Sequence, residues 1–226
     1  MQGKLITFEG IDGSGKGTQS NLLQNRLEAL GIATELFSFP CYENTFFGKE
    51  IGAFLRGEFG GINDVHPKLA SILYAMDRLE LKEKIINGLN EGKAIICDRY
   101  VDSNIAHQSS KLPFTEQANF ILWIEKLEYG FNQMPKPDIT FFLNVPIEVS
   151  KDLVLKKQKR NYTDSKEDIH EQAYGYLEKV YNAYLNIDHG SRWRSVDCCE
   201  NGLMLKETSI NDTIFNMISK ELNLYE

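Results

Sequence analysis

An α/β architecture is expected, a central five-stranded parallel sheet wrapped by helices, and three features of the chain predict it. Short apolar runs recur along its length, helical segments separate them, and the first run opens directly into a glycine-rich turn. At 226 residues the chain is long enough to bury a substantial core, and it fits one domain, 1–226, better than two. Hydrophobic residues at 42% and charged residues at 25% are the balance of a soluble globular protein.

The strands are read from β-rich runs. Residues 5–8 (LITF) form the first and 33–39 (ATELFSF) the second, followed by 93–97 (KAIIC), 138–145 (DITFFLNV) and a weaker fifth at 192–196. The helices are read from spacing and punctuation. Residues 18–30 carry Leu22, Leu23, Leu27 and Leu30 at helical spacing, and Gly31 closes the segment. Pro67 opens one long helical segment, 67–89, with Gly92 after it. Residues 115–129, 147–155 and 168–187 read as further helices, and Asn211 is expected to cap the last one.

Several classes of function fall away. No basic stretch followed by a long apolar run opens the chain, and no window holds the eighteen or so apolar residues that cross a bilayer, so the expected compartment is the cytoplasm, with no membrane partner. The cysteines Cys41, Cys97, Cys198 and Cys199 have no CxxC spacing and no paired histidines, which suggests reduced structural thiols. A net charge of −7 argues against a nucleic-acid surface, because phosphate backbones attract basic proteins. A small nucleotide site needs only a few local cations and remains open.

The chemistry begins at residues 10–18, GIDGSGKGT, after a strand and before a helix. Glycines at 10, 13 and 15 let backbone amides turn inward onto an anion. The following helix N-terminus adds donors and the positive end of a dipole. Lys16 then reaches the β- and γ-phosphates of a nucleoside triphosphate. The whole loop, Gly10, Ile11, Asp12, Gly13, Ser14, Gly15, Lys16, Gly17 and Thr18, is the expected ATP contact. The expected fold is accordingly a P-loop NTPase three-layer sandwich with a short lid. The hydroxyl residue that often follows the lysine and ligates Mg²⁺ is Gly17 here, with Thr18 after it, so Thr18 is a doubtful ligand. Asp98 and Arg99 stand at the carboxyl end of the third strand, where ligands bind in open α/β sheets. Asp98 there orients Mg²⁺ or its waters, and Arg99 bridges phosphate groups.

In combination these segments resemble the thymidylate kinase family over nearly the whole chain. FEGIDGSGKGTQ (8–19) is similar to that family's P-loop, with an aspartate two residues after the first glycine. ILYAMDRLE (72–80), DRYVDSNIAHQ (98–108) and KPDITFFLNVP (136–146) resemble three further family segments in the same order. The resemblance implies MgATP as phosphate donor, dTMP as acceptor and a homodimer packed through helices, for which the region of Ile121, Leu122 and Trp123 is the expected face. It also implies roles: Asp12 on the deoxyribose 3′-hydroxyl, Tyr74 stacked on thymine, Arg78 bonded to the base and Arg99 on the dTMP phosphate. Ser103, Asn104 and Gln108 would read base and sugar edges, and Phe39 and Pro40 would shape the pocket wall.

Two positions depart from the family pattern. His107 stands where Tyr or Phe is usual, at a place implied to discriminate against a ribose 2′-hydroxyl. Tyr42 stands where many relatives carry the arginine of FPxR, so one cation of the family pattern is missing, and Lys49 and Arg56 are candidates that no motif assigns. With Gly13 and Ser14 in the variable P-loop places, the catalytic cation must come from elsewhere. The basic stretch at about 156–166 lies where the family's lid lies, and Arg160 is the expected finger, with Lys156 and Lys159 behind it. The expected catalytic set is Lys16, Asp12, Arg99 and Arg160. A kinase for AMP, UMP or CMP fits the GKGT order, a deoxynucleoside kinase would require a strand-end general base, and a nucleotide-gated binding module would lack turnover. Residues 198–207 carry no motif.

Overall fold

The structure, a computed structural model, describes residues 3–61, 64–150, 175–187 and 189–221. Five strands form one parallel sheet: β1 (Lys4–Glu9), β2 (Thr34–Ser38), β3 (Ala94–Asp98), β4 (Ile139–Asn144) and β5 (Trp193–Asp197), in the order β2-β3-β1-β4-β5. Every expected strand is present within a residue or two of its expected bounds. Successive side chains alternate between the two sheet faces, and both faces are covered, which is why the strands read as nearly continuous apolar runs. Ile6, Phe8, Ile96, Phe141 and Leu143 pack on one side with Leu23 and Leu27 of α1 (Lys16–Ala29). Ile210, Ile214 and Ile218 of the last helix, Glu207–Glu221, join the same cluster. Leu5, Ile95 and Cys97 pack on the other side with residues of the central helices.

Between β2 and β3 run α2 (Phe46–Leu55), α3 (Pro67–Glu80) and α4 (Lys82–Asn90). The helix expected over 67–89 is therefore two helices. Leu81 (φ −102°, ψ 3°) leaves the helical region and its N–H bonds to the carbonyls of Arg78 and Leu79. The break lets α3 pack on α2 while Ile85 of α4 sits against the sheet beside Ile95. The helix α2, not expected from the sequence, is capped by Thr45, whose Oγ1 accepts from Gly48 N at 2.9 Å.

After β3 come α5 (Val101–Ser109) and α6 (Phe114–Glu125), which runs into a π-helical turn, Lys126–Phe131. The turn replaces the end of the helix expected over 115–129 and buries Glu128 completely. Beyond β4, helix α7 (Tyr176–Leu185) packs on α5. The helix expected over 147–155 falls largely, and the start of the one expected over 168–187 wholly, outside the described residues.

A short antiparallel hairpin, β6 (Cys199–Glu200) and β7 (Leu203–Met204), occupies the stretch without a motif, and α8 (Glu207–Glu221) follows. Asn211 is not the cap of α8 but lies in its second turn. Asparagine favours caps, yet here its buried amide donates to Gln19 Oε1 at 3.2 Å, tying α8 to α1. The four cysteines are free.

Candidate active site

Parallel pairing sets the carboxyl ends of β1 and β3 side by side, with Phe8 opposite Asp98, and the pairing continues as Arg99 N donates to Phe8 O at 2.9 Å. The glycine-rich loop after β1 and the Asp98–Arg99 corner after β3 thereby share one cleft of about 600 Å³. Of the expected residues, Asp12, Gly13, Gly15, Lys16, Gly17, Thr18, Phe39, Pro40, Tyr74, Arg78, Asp98, Arg99, Ser103, Asn104, His107 and Gln108 line it.

Gly10, Ile11 and Ser14 do not. Gly10 adopts φ 143°, and a Cβ there would stand 2.8 Å from Ser14 Oγ and 3.0 Å from Leu143 O. The Ile11 side chain is buried among Phe142, Tyr176, Val180 and Tyr184, while its carbonyl accepts from Lys16 Nζ at 2.8 Å. Ser14 is buried and 3.4 Å from the same ammonium. Ile11 and Ser14 thus support Lys16 from beneath. The expected lid at about 156–166, with Arg160, Lys156 and Lys159, lies outside the described residues.

The departure at Gly17 has a physical reason. A Cβ at that position would stand 3.0 Å from Asp98 Oδ2, so the carboxylate occupies the space a larger side chain would need. Asp98 Oδ1 is buried and has no hydrogen-bond partner, while Oδ2 accepts only weakly from Ser38 Oγ at 3.5 Å. A hard, oxygen-seeking cation or its water suits such an unpartnered carboxylate oxygen beside a phosphate cradle. The residues present therefore fit Mg²⁺ carried in with a nucleotide.

At the strand-end corner, Arg99 takes φ 68°, a left-handed conformation costly for a residue with a side chain and common at functional sites. Its guanidinium pairs with Asp12 and donates to Gly10 O and Ser103 Oγ, each at 3.2 Å. Behind it lies Glu9, fully buried, which accepts from Tyr100 N at 2.8 Å, Ser103 Oγ at 2.5 Å and Tyr184 OH at 3.0 Å. Loss of hydration, reinforced by the Asp102 carboxylate, pushes the Glu9 pKa up to about 7.

Arg78 reaches the cleft wall from α3 but is only 2% exposed, and it has a partner the sequence did not suggest. Glu128, from the π turn, pairs with it and accepts from its Nε at 3.2 Å. Asn104 Nδ2 also donates to Glu128 Oε1 at 3.2 Å and to Ser71 O at 3.1 Å, which leaves Asn104 Oδ1 buried and unpartnered beside the cleft. Gln108 Nε2 is likewise buried without a partner. Asp77 holds the loop after β2 by accepting from Cys41 N at 3.0 Å and Thr45 Oγ1 at 2.5 Å, which sets Tyr42 in the wall.

Neither Lys49 nor Arg56 takes the place of the missing arginine. Both lie off the cleft, and Arg56 pairs with Glu58 at 2.8 Å, so the cations lining the cleft among the described residues are Lys16, Arg78 and Arg99. His107 is held by Tyr176, whose hydroxyl donates to its carbonyl at 2.9 Å, and burial together with Arg99 lowers its pKa to about 3. It is a neutral wall residue. At the far end Met204 and Glu207 join the lining, so the hairpin borders the P-loop end of the cleft.

The chain is similar to known proteins over most of its length. The family model described as thymidylate kinase matches residues 8–200. The thymidylate kinase of Plasmodium falciparum is 31% identical over 87% of this chain and 82% of its own length. The probable thymidylate kinase of Methanocaldococcus jannaschii is 36% identical over 80% of each chain. The solved thymidylate kinase of Candida albicans superposes with a TM-score of 0.78 at 27% identity, covering 98% of this chain and 93% of that one. The glycine-rich loop, the strand-end Asp98–Arg99 corner and Arg78 lie within the matched span, and the chain belongs to the thymidylate kinase family.

Proposed function

We propose that this chain transfers the γ-phosphoryl group of MgATP to dTMP, giving dTDP and ADP. An oxygen of the dTMP phosphate forms the new bond to γ-phosphorus as the bond to the β-bridging oxygen breaks, and that oxygen leaves with ADP. Such transfers require in-line placement and positive charge more than covalent chemistry. Lys16 lies in the cradle for the donor phosphates, and Arg99 lies at the corner for the acceptor phosphate. Asp12, neutralised by Arg99, is the group for the sugar 3′-hydroxyl. Mg²⁺ would be held beside Asp98, with Thr18 as a weaker candidate, and when bound it supplies charge neutralisation between the β- and γ-phosphates. A further catalytic cation at Arg160 is proposed on the sequence alone.

The observation that carries the acceptor assignment is the pair of unpartnered atoms on α5. Asn104 Oδ1 is an acceptor and Gln108 Nε2 a donor, both buried at the wall that Tyr74 and Arg78 share. A thymine ring presents N3–H and keto oxygens, which complement that set, whereas a cytosine edge presents the reverse at two positions. The polar atoms would be satisfied only by the matching ring, and unsatisfied buried groups are costly.

A homodimer is proposed on a face shared by α3 and α6. Lys68 of α3 lies 5.3 Å over the Trp123 ring of α6, and Leu69 and Leu122 beside them are 61% and 62% exposed. Ile121 and Trp123 themselves pack inward against the core. No helix of the described residues is long and apolar enough to cross a membrane. A cytoplasmic enzyme without nucleic-acid partners is the proposed setting.

The decisive measurement is ADP release with MgATP against dTMP, dUMP, UMP, CMP and AMP, with a no-acceptor control. Turnover with dTMP at least about tenfold above the other acceptors is the expected result. A preference for AMP or CMP would overturn the base assignment and leave the cradle standing, and silence with every acceptor would overturn the enzyme reading.

A further inference from the structure

Gln108 is fully buried, and its side-chain amide borders the acceptor end of the cleft. The two ends of such an amide are nearly equal in shape and opposite in hydrogen-bonding sense. Which end faces the cleft is therefore decided by what the other end touches. Lys111, one helical turn further on, donates from Nζ to Gln108 Oε1 at 2.8 Å. An ammonium donates and never accepts, so it binds the carbonyl end and turns the Nε2 donor toward the ligand.

Lys111 is unusual in its surroundings. No acidic side chain among the described residues pairs with it. Its ammonium lies 5.5 Å over the ring of Phe54 and 5.9 Å over that of Tyr176, which confines it from two sides. Burial lowers its pKa to about 7, so the ammonium, which only donates, prevails below that pH. Among the described residues the Gln108 carbonyl oxygen is the one hydrogen-bond acceptor that compensates the lost hydration.

We propose that Lys111 is a specificity-determining positioning residue, which fixes the Gln108 amide as a donor and so selects a keto over an amino pyrimidine edge. The inference deepens the dTMP reading and rests on it. Lys111 itself does not line the cleft and acts through Gln108.

The test compares kcat and KM at pH 6, below the Lys111 pKa, for dTMP and dCMP in wild type, Lys111→Met, Lys111→Arg, Gln108→Ala and the Lys111→Met/Gln108→Ala double variant. Methionine keeps the length and packing of the side chain and removes the donor. Lys111→Met is expected to raise KM for dTMP about tenfold with kcat within about twofold, and to lower the dTMP-to-dCMP ratio of kcat/KM about tenfold or more. Lys111→Arg, which still only donates, is expected to restore most of that ratio. In the Gln108→Ala background the Lys111→Met change should have no further effect on the ratio. An unchanged ratio in Lys111→Met, or an equal fall in the Gln108→Ala background, would overturn the role of Lys111 while leaving the dTMP assignment intact. A wild-type enzyme that used dCMP as readily as dTMP would instead overturn the acceptor reading, and this proposal with it.

Discussion

Two arginine–carboxylate pairs face the same cleft and differ in where the carboxylate stands. In Arg78–Glu128 the side chains are 2% and 0% exposed, and the acid comes from the π turn behind the wall. In Arg99–Asp12 they are 14% and 16% exposed, and the acid comes from the phosphate cradle itself. The first pair has nothing to exchange with, since Glu128 also accepts from Asn104. The second lines the cleft with both partners, so in the proposed reaction an incoming phosphate would compete with Asp12 for the guanidinium. Similar pairs thus differ in whether the acid is walled off, as Glu128 is, or lines the cleft, as Asp12 does, and only the second is proposed to exchange its partner for a ligand. The left-handed backbone of Arg99 fits that division, because local strain persists where surrounding structure supports a functional pose.

The largest expected effect breaks the exposed pair. Arg99→Ala should lower kcat/KM for dTMP by about 10³ or more, the scale of removing an arginine from phosphoryl transfer. Arg99→Lys should recover only part of it, because a point charge does not reproduce bidentate contact. Steady-state kinetics and thermal melts on the same preparations check this. If the melting temperature falls in parallel with activity, the pair is scaffold too and the contrast disappears.

Breaking the buried pair should act in the opposite proportion. Glu128→Ala leaves an uncompensated guanidinium in the core, a change that typically costs about 3–5 kcal/mol. Denaturant unfolding should show that loss, and the surviving folded enzyme should keep its kcat with a raised KM for dTMP. A kcat collapse at unchanged stability would place Glu128 among the reacting groups rather than behind them.

The two pairs were also unequally legible. Arg99 and Asp12 sit in short contiguous motifs at strand ends, and strand pairing alone brings those ends together, so the sequence carried them. The five strands were readable for the same reason, since period-2 and continuous apolar runs are local signals. Arg78 was recognisable but Glu128 was not, because it lies fifty positions away on a π turn that departs from the 3.6-residue period. The break at Leu81 was hidden for a related reason: the 67–89 segment keeps helical composition throughout, and tertiary packing bends it. Asn211 misled because its amide serves a buried glutamine instead of a helix end. The hairpin at 199–204 is two residues per strand, too short for any periodicity to register.

Glu9 sharpens the comparison further, as a buried acid that supports Arg99 without pairing with it. It reaches Arg99 through Ser103, whose Oγ donates to Glu9 and accepts from the guanidinium. Its neighbours are Asp102, which raises its pKa, and Arg99, Ser103 and Tyr100, which lower it, with desolvation dominant. The folded-state value of about 7 stands above the ordinary 4.5, so between those values the folded chain holds a proton that the unfolded chain has released. Stability from this group is therefore fully present below about pH 4.5 and is lost as pH rises through 7. The shift corresponds to a few kcal/mol, on the order of 3. Replacing the acid by an amide removes the titration: unfolding free energies of wild type and Glu9→Gln should diverge in favour of the variant as pH rises from 5 to about 7, and the difference should level off above it. Parallel curves would mean that Glu9 stays ionised in the core, with Arg99 as its true counterion, and the division between scaffold and binding arginines would then have to include one residue serving as both.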